Sequence, residues 1–206
     1  QRWKSQLRAE QGARMASLQA RIRPHFLFNT LNTIASLVRT RPDDAEQAVL
    51  DLSDLLRSGL RDESWHTLAD ELELVRGYLR IESLRLGERL RIDWQLSDAL
   101  PVDDELPALL IQPLVENAIM HGIARLPEGG ELKIAGRADR GGKWSFVVEN
   151  PVPTDDDPNG GDGARMALDN IRQRLELAWE GQAQLITNQG DGRFRAELRF
   201  PGGAMP

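Results

Sequence analysis

Cysteine is absent from the 206 residues, so disulfides, thiol catalysis and thiolate metal sites are excluded together. Histidine is scarce: His25, His66 and His121 lie far apart in sequence, which argues against a histidine-built zinc centre. No apolar run reaches the roughly 20 residues needed to cross a bilayer, and the opening residues lack the pattern of a signal peptide. A basic excess is missing as well. The net charge is −6, so a nucleic-acid surface, which needs clustered Lys and Arg, is not expected. What remains is an ordinary globular composition, 40% hydrophobic and 28% charged, which excludes a wholly disordered chain. The length admits one or two domains. The sequence opens directly on the helix-like QRWKSQLRAEQGARMASLQARI with no capping residue ahead of it, and it reads as a cytoplasmic fragment with an N-terminal region upstream.

Up to about residue 62 the periodicity is helical throughout. In RIRPHFLFNTLN, residues 21–32, a proline, a histidine and two phenylalanines fall within five positions of a helical pattern. Leu27, Leu31, Ile34 and Val38 recur at spacings of four, three and four and make an apolar stripe. His25, Asn29, Asn32 and Ser36 make a second stripe. Two residues of offset turn a helix by about 200°, so the polar stripe lies opposite the apolar one. His25 is therefore expected to face outward, and Pro24, which removes a backbone donor, to bend the helix beside it. The helix is expected to end near Arg39. A second begins at Pro42, with Asp43 and Asp44 where the helix dipole favours negative charge, and carries Ala45, Ala48, Val49, Leu52, Leu55, Leu56 and Leu60. An isolated hairpin buries too little. Two hairpins pairing into a four-helix bundle, hence a homodimer, is the expected solution; the alternative is packing on the rest of the chain.

From Thr67 onward helices and strands mix. Thr67 and Asp70 form a capping pattern ahead of a helix with Leu68, Leu72, Val75 and Leu79 on one face. LRIDWQL alternates as a half-buried strand, PALLIQPLVENAIMHGIA reads as a helix, and ELKIAGRA and KWSFVVEN read as strands joined at Gly141-Gly142. PVPTDDDPNGGDG has no core periodicity, ARMALDNIRQRLELAW is helical, and AQLITN and FRAELRF close as a hairpin. This order predicts an α+β fold, a mixed sheet covered on one face by helices. RDESWH, residues 61–66, is the hinge, giving domains at 1–62 and 63–206, with His66 taken as structural.

Two further segments carry candidate chemistry. In LVENAIMHG, residues 114–122, Glu116 adjoins Asn117, and Asn117 and His121 share a helical face. A carboxamide beside a carboxylate suits a magnesium–phosphate site, because magnesium takes oxygen ligands and keeps several waters. An amphipathic helix turning polar residues to solvent fits the same segment equally well. In NGGDGARMALDN, residues 159–170, glycines precede a helix whose free N–H groups attract phosphate, although glycine-rich connections are common for other reasons. Asp155, Asp156 and Asp157 read as a solvated acidic loop, and the five tryptophans as packing residues.

Taken in order, RPHFLFNTLN, DLSDLLR at 51–57, ELELVRGYLRIESLRLGERL at 71–90, LVENAIMHG and ALDNIRQRL at 167–175 resemble the LytS/AlgZ-type sensor histidine kinases of two-component systems. The likeness runs from about residue 18 to 200, and MALDNIRQRL with VENPVP suggests the AlgZ-like subgroup. The resemblance implies a dimeric four-helix bundle followed by an α/β sandwich ATPase domain of the gyrase/Hsp90/histidine kinase/MutL type. By position, His25 corresponds to the phosphoacceptor and Asn29 to the amide that positions water when such proteins dephosphorylate their partner. Glu116 and Asn117 correspond to the helix residues that hold Mg2+ and the phosphates of ATP, with Asn117 as the metal ligand, Glu116 as a candidate base and His121 nearby. The implied partner is a response regulator, of the LytTR DNA-binding kind. The implied setting is the bacterial cytoplasmic membrane, reached through the missing N-terminal region.

Two departures qualify the likeness. The family's Asp-x-Gly-x-Gly, whose aspartate reads the adenine amino group, stands here as Glu149-Asn150-Pro151-Val152-Pro153; either Glu149 substitutes, or Asn150 does by a one-residue shift. The Gly-x-Gly-x-Gly-Leu motif becomes Gly163-Ala164-Arg165-Met166-Ala167-Leu168. If left-handed backbone were required there, each replacement would cost about 1–2 kcal/mol, or roughly tenfold in affinity, with Gly160 and Gly161 as compensating residues. The alternative function is a non-catalytic dimeric scaffold, or a phosphatase whose nucleotide site has decayed.

Overall fold

A computed structural model describes residues 24–60, 65–153 and 161–202. The described chain forms two compact units. Among the described residues, one holds 24–60 together with Gly77–Arg85; the other holds 65–76 and those from Leu86 onward. The single boundary expected at 62/63 therefore becomes an exchange, in which one helix serves both units in turn.

The first unit is built on helices α1 (Pro24–Leu37) and α2 (Pro42–Leu60). Helix α2 opens on Pro42, whose missing N–H has no intrahelical partner to lose in a first turn. The bend expected at Pro24 depends on residues 21–23, which lie outside the described residues. On α2 the expected face is buried at Ala45, Ala48, Leu52 and Leu55. The expected face of α1 is buried only in part: Ile34 is buried and Leu27 half-buried, Leu31 and Val38 are exposed, and Thr30 is buried as well, with Phe26 half-buried. Thr30 can pass as a core residue because its hydroxyl donates to the Phe26 carbonyl at 2.8 Å, so no polar atom is stranded. Gly77–Arg85 is the third element of this unit. There Tyr78 packs its ring 5.2 Å from that of Phe26, and Arg80 grips the nearly buried Asp51 at 2.8 and 2.6 Å.

The second unit contains a five-stranded mixed sheet in the order β2-β4-β5-β7-β6, from β2 (Leu90–Leu96), β4 (Gly130–Ala138), β5 (Trp144–Pro151), β6 (Gln184–Gly190) and β7 (Arg193–Phe200). Only β2 and β4 run parallel. Strand alternation separates two faces. Ile134, Val148 and Ala196 lie in register on the buried face, while Lys133, Glu149 and Arg195 lie in register on the polar one. Helix α5 (Gly161–Trp179) packs on the buried face, where Trp179 meets Phe200 edge-on and Phe200 stacks on Trp144.

Helix α3 (Leu68–Leu86) starts with the expected cap: Asp70 accepts from the Thr67 N–H at 3.0 Å, and Thr67 Oγ1 accepts from the Asp70 N–H at 3.1 Å. The Thr67 hydroxyl and N–H bonds hold the Asp70 carboxyl below its ordinary range. Two short strands that periodicity did not reveal, β1 (Trp65–Thr67) and β3 (Glu105–Pro107), pair antiparallel. They shorten the helix expected from Pro107. It begins only at Gln112, as α4 (Gln112–Asn117), and continues through a π turn (Ala118–Gly122) into a 3-10 turn (Ile123–Arg125).

Candidate functional site

In the first unit, His25 is exposed on α1, as its stripe predicts. One turn later, the Asn29 carboxamide nitrogen sits 3.1 Å from His25 Nδ1 and 3.4 Å from Nε2. An exposed imidazole with a carboxamide on its ring nitrogens can accept a group from an incoming reagent and be oriented while it does so. DLSDLLR lies on α2, with Asp51 turned inward to Arg80 and Gln47.

In the second unit, the expected residues cluster around α4 and the end of β5. Glu116 is half-buried and accepts from Gln112 Nε2 at 2.8 Å. Asn117, the last residue of α4, is 6% exposed, and His121 follows within the π turn, half-buried. Such single π turns are rare and concentrate at functional sites. Gly122 closes the turn against β5. A Cβ there would stand 2.0 Å from Asn150 Nδ2 and 2.6 Å from the Pro151 carbonyl oxygen, so only glycine permits this approach.

Strand alternation separates the two candidates in VENPVP. Glu149 is on the polar face, held by Arg193 at 2.9 Å and Arg195 at 3.5 Å in a charged ladder that continues through Glu197 to Arg199. The hydrogen bonds of Arg199 and then Arg195 keep Glu197 below the usual carboxylate range. Glu149 thus stands apart from the other expected nucleotide residues, because its position parity turns it away from the helices. Asn150 occupies the buried face at 1% exposure, beside Gly122. Its Nδ2 donates to the Pro151 carbonyl at 2.8 Å, while its Oδ1 accepts no hydrogen bond among the described residues. A buried acceptor left open costs about 1–3 kcal/mol, so this oxygen is available to a donor from outside the chain, water or ligand.

The glycine-rich segment also differs from expectation. Gly161 is the first residue of α5, Gly163 lies in its first turn, and neither has left-handed backbone. Ala164 and Leu168 are buried in regular helix, so the replaced glycines carry none of the strain that a left-handed turn would impose. Gly160 and the three aspartates at 155–157 lie outside the described residues. Sequence reasoning missed the groups that hold α4 in place, chiefly Glu71, Arg89 and Arg174. Their partners are backbone atoms about 35 or more positions away, and no local pattern marks them.

Residues 13–90 match the family model described as Histidine kinase. Over 185 residues, 89% of this chain and 32% of the relative, the chain is 42% identical to the sensor histidine kinase BtsS of Escherichia coli K12. It is 35% identical over 176 residues to the sensor histidine kinase YpdA of the same organism, covering 81% of the chain and 31% of YpdA. It is 38% identical over 125 residues to the sensor histidine kinase/phosphatase LytS of Staphylococcus aureus, covering 60% of the chain and 21% of LytS. Among solved structures, the histidine kinase domain of an Erythrobacter litoralis blue-light activated histidine kinase aligns over 94% of this chain and 93% of its own, at 17% identity and a TM-score of 0.49. The sequence matches place the chain among the sensor histidine kinases. Within that class the chain belongs to the LytS-type family. It spans about a third of the length of its first relatives. Among the described residues, no helix is long and apolar enough to cross a membrane.

Proposed function

We propose that this chain is the kinase core of its parent sensor: His25 takes the γ-phosphoryl group of ATP and passes it to an aspartate of a response regulator. The observation that carries the reading is the exposed His25 with the Asn29 carboxamide 3.1 Å from its ring. The lone pair of a neutral ring nitrogen forms the N–P bond as the bond from the γ-phosphorus to the β,γ-bridging oxygen breaks, and ADP leaves. Asn29 orients the ring in this step, and in the reverse regulatory step it positions water for dephosphorylating the regulator.

The second unit is the ATP-holding part. Asn150 Oδ1, buried and open, suits the exocyclic amine of adenine, so Asn150 rather than Glu149 is the base-reading residue. Asn117 and Glu116 are the candidate side chains on the phosphate side, with Asn117 as the Mg2+ ligand, Glu116 as the base and His121 beside them. Magnesium needs no more than one or two side-chain oxygens there, with the substrate phosphates and waters completing its shell. Bound there, Mg2+ would neutralise charge on the phosphates. The exposed Leu31, Val38, Val49 and Leu50 support a homodimer through the hairpin. A LytTR-type regulator and a membrane-anchored parent complete the proposal.

The test is incubation with γ-labelled ATP and Mg2+. Acid-labile, alkali-stable label that disappears in both His25→Gln and Asn117→Ala supports the kinase. Nucleotide binding without label would place the chain with the scaffold or phosphatase reading instead.

A further inference from the structure

The charged groups with the least solvent contact in the second unit are not at the proposed nucleotide site but beneath it. Glu71, in the first turn of α3, is 0% exposed. Charged side chains are almost never so buried without dedicated partners, and Glu71 has four. Its Oε1 accepts from the Leu109 N–H at 2.6 Å and faces His66 Nδ1 at 3.1 Å; its Oε2 accepts from the Leu110 N–H at 2.9 Å and the Ile111 N–H at 2.8 Å. Three successive backbone donors thus converge on one carboxylate in the turn that enters α4. That turn is unusual in itself, since Leu109 has φ +58, in the left-handed region. A residue with a Cβ holds such a conformation only where its surroundings over-determine it.

The same turn is gripped from its other side by Arg174 of α5, which donates to the Ala108 carbonyl. At the far end, Arg89 donates to the Ala124 and Leu126 carbonyls at 3.1 and 2.8 Å. The segment bearing Glu116 and Asn117 is therefore fastened at entrance and exit by charged side chains, an anion on backbone N–H groups and a cation on backbone carbonyls. This matches the groups that a helical segment leaves unsatisfied at each end.

Resting on the reading of α4 as the nucleotide helix, we propose that Glu71 is a positioning residue for that site: by holding Leu109 left-handed, it sets the direction in which α4 presents Glu116 and Asn117. Glutamine at this position would turn a donor amide against donor N–H groups and release the turn.

The experiment compares wild type, Glu71→Gln, Leu109→Gly and the double variant. The readouts are Kd for a non-hydrolysable ATP analogue with Mg2+, thermal unfolding, and amide hydrogen exchange over residues 109–117. Glu71→Gln is expected to stay cooperatively folded, to exchange faster over 109–117 and to bind at least tenfold more weakly. Glycine adopts positive φ without help, so Leu109→Gly should lose less than Glu71→Gln, and the double variant should bind no more weakly than Glu71→Gln alone. If Glu71→Gln fails to fold, Glu71→Asp, which keeps the charge at shorter reach, takes its place with the same expected order. Wild-type affinity in the folded Glu71 variant would overturn the proposal, as would losses that multiply in the double variant. A wild type that binds no nucleotide would overturn the functional reading and this proposal with it; a wild type that binds beside an unimpaired variant overturns this proposal alone.

Discussion

Helix α1 and the α4 segment place their candidate residues in opposite ways. On α1, an exposed His25 and a half-buried Asn29 are one turn apart on a regular helix and bonded to each other at 3.1 Å, so sequence spacing alone places them. On α4, Glu116, Asn117 and His121 sit on a six-residue helix that passes into a π turn, and their placement depends on Glu71, Arg89, Arg174 and β5. A reactive group that works at the surface needs only local geometry. A pocket that must meet a ligand from several sides needs contacts that are distant in sequence.

The comparison can be broken from either side. The largest effect on stability is expected in the first unit. Arg80→Ala takes the cation from the nearly buried Asp51 carboxylate, leaving it the Gln47 amide, and should cost about 3 kcal/mol in denaturant unfolding. Asp51→Ala, which leaves only a half-exposed guanidinium, should cost clearly less. Equal losses would show that the buried charge is not what matters.

In the second unit, Gly122→Ala forces a Cβ onto Asn150 and Pro151, and about 1–3 kcal/mol of overpacking is expected. Weaker ATP-analogue binding should accompany it, measured by calorimetry. The two VENPVP residues should then separate cleanly. Asn150→Ala is expected to weaken analogue binding roughly tenfold, the equivalent of about 1.4 kcal/mol. Glu149→Ala, on the opposite face, should leave binding within about twofold and mainly loosen the arginine ladder. The reverse order would return base recognition to Glu149.

The smallest effect belongs to the cap of α3. Thr67→Ala should cost about 1 kcal/mol. Because Asp70 is held below its unfolded value, its contribution is present above the unfolded pKa and lost as pH falls through the folded one. The variant's deficit should accordingly shrink in acid unfolding, and a deficit constant with pH would remove the Thr67–Asp70 pair as its cause.

What was legible in the sequence follows the same division. The hairpin, the strands of the five-stranded sheet, the α3 cap and the outward His25 were all readable from period and capping chemistry. The buried face of α1 was misjudged because Thr30 hides its hydroxyl on its own backbone. The start of α4 was misjudged because β3 and the Glu71 clamp claim residues whose local pattern is helical. The choice between Glu149 and Asn150 stayed open in the sequence, since strand parity puts the two on opposite faces and the faces are told apart only once the register with β7 is known. The glycine-poor GARMAL looked costly because a turn was assumed where α5 has already begun.

The most direct test of the central claim is to locate the phosphoryl group. After reaction with γ-labelled ATP and Mg2+, digestion at alkaline pH should recover the label on a peptide containing His25, as phosphohistidine, and on no other residue. Label that survives acid, or that maps to a side chain other than His25, would contradict the account.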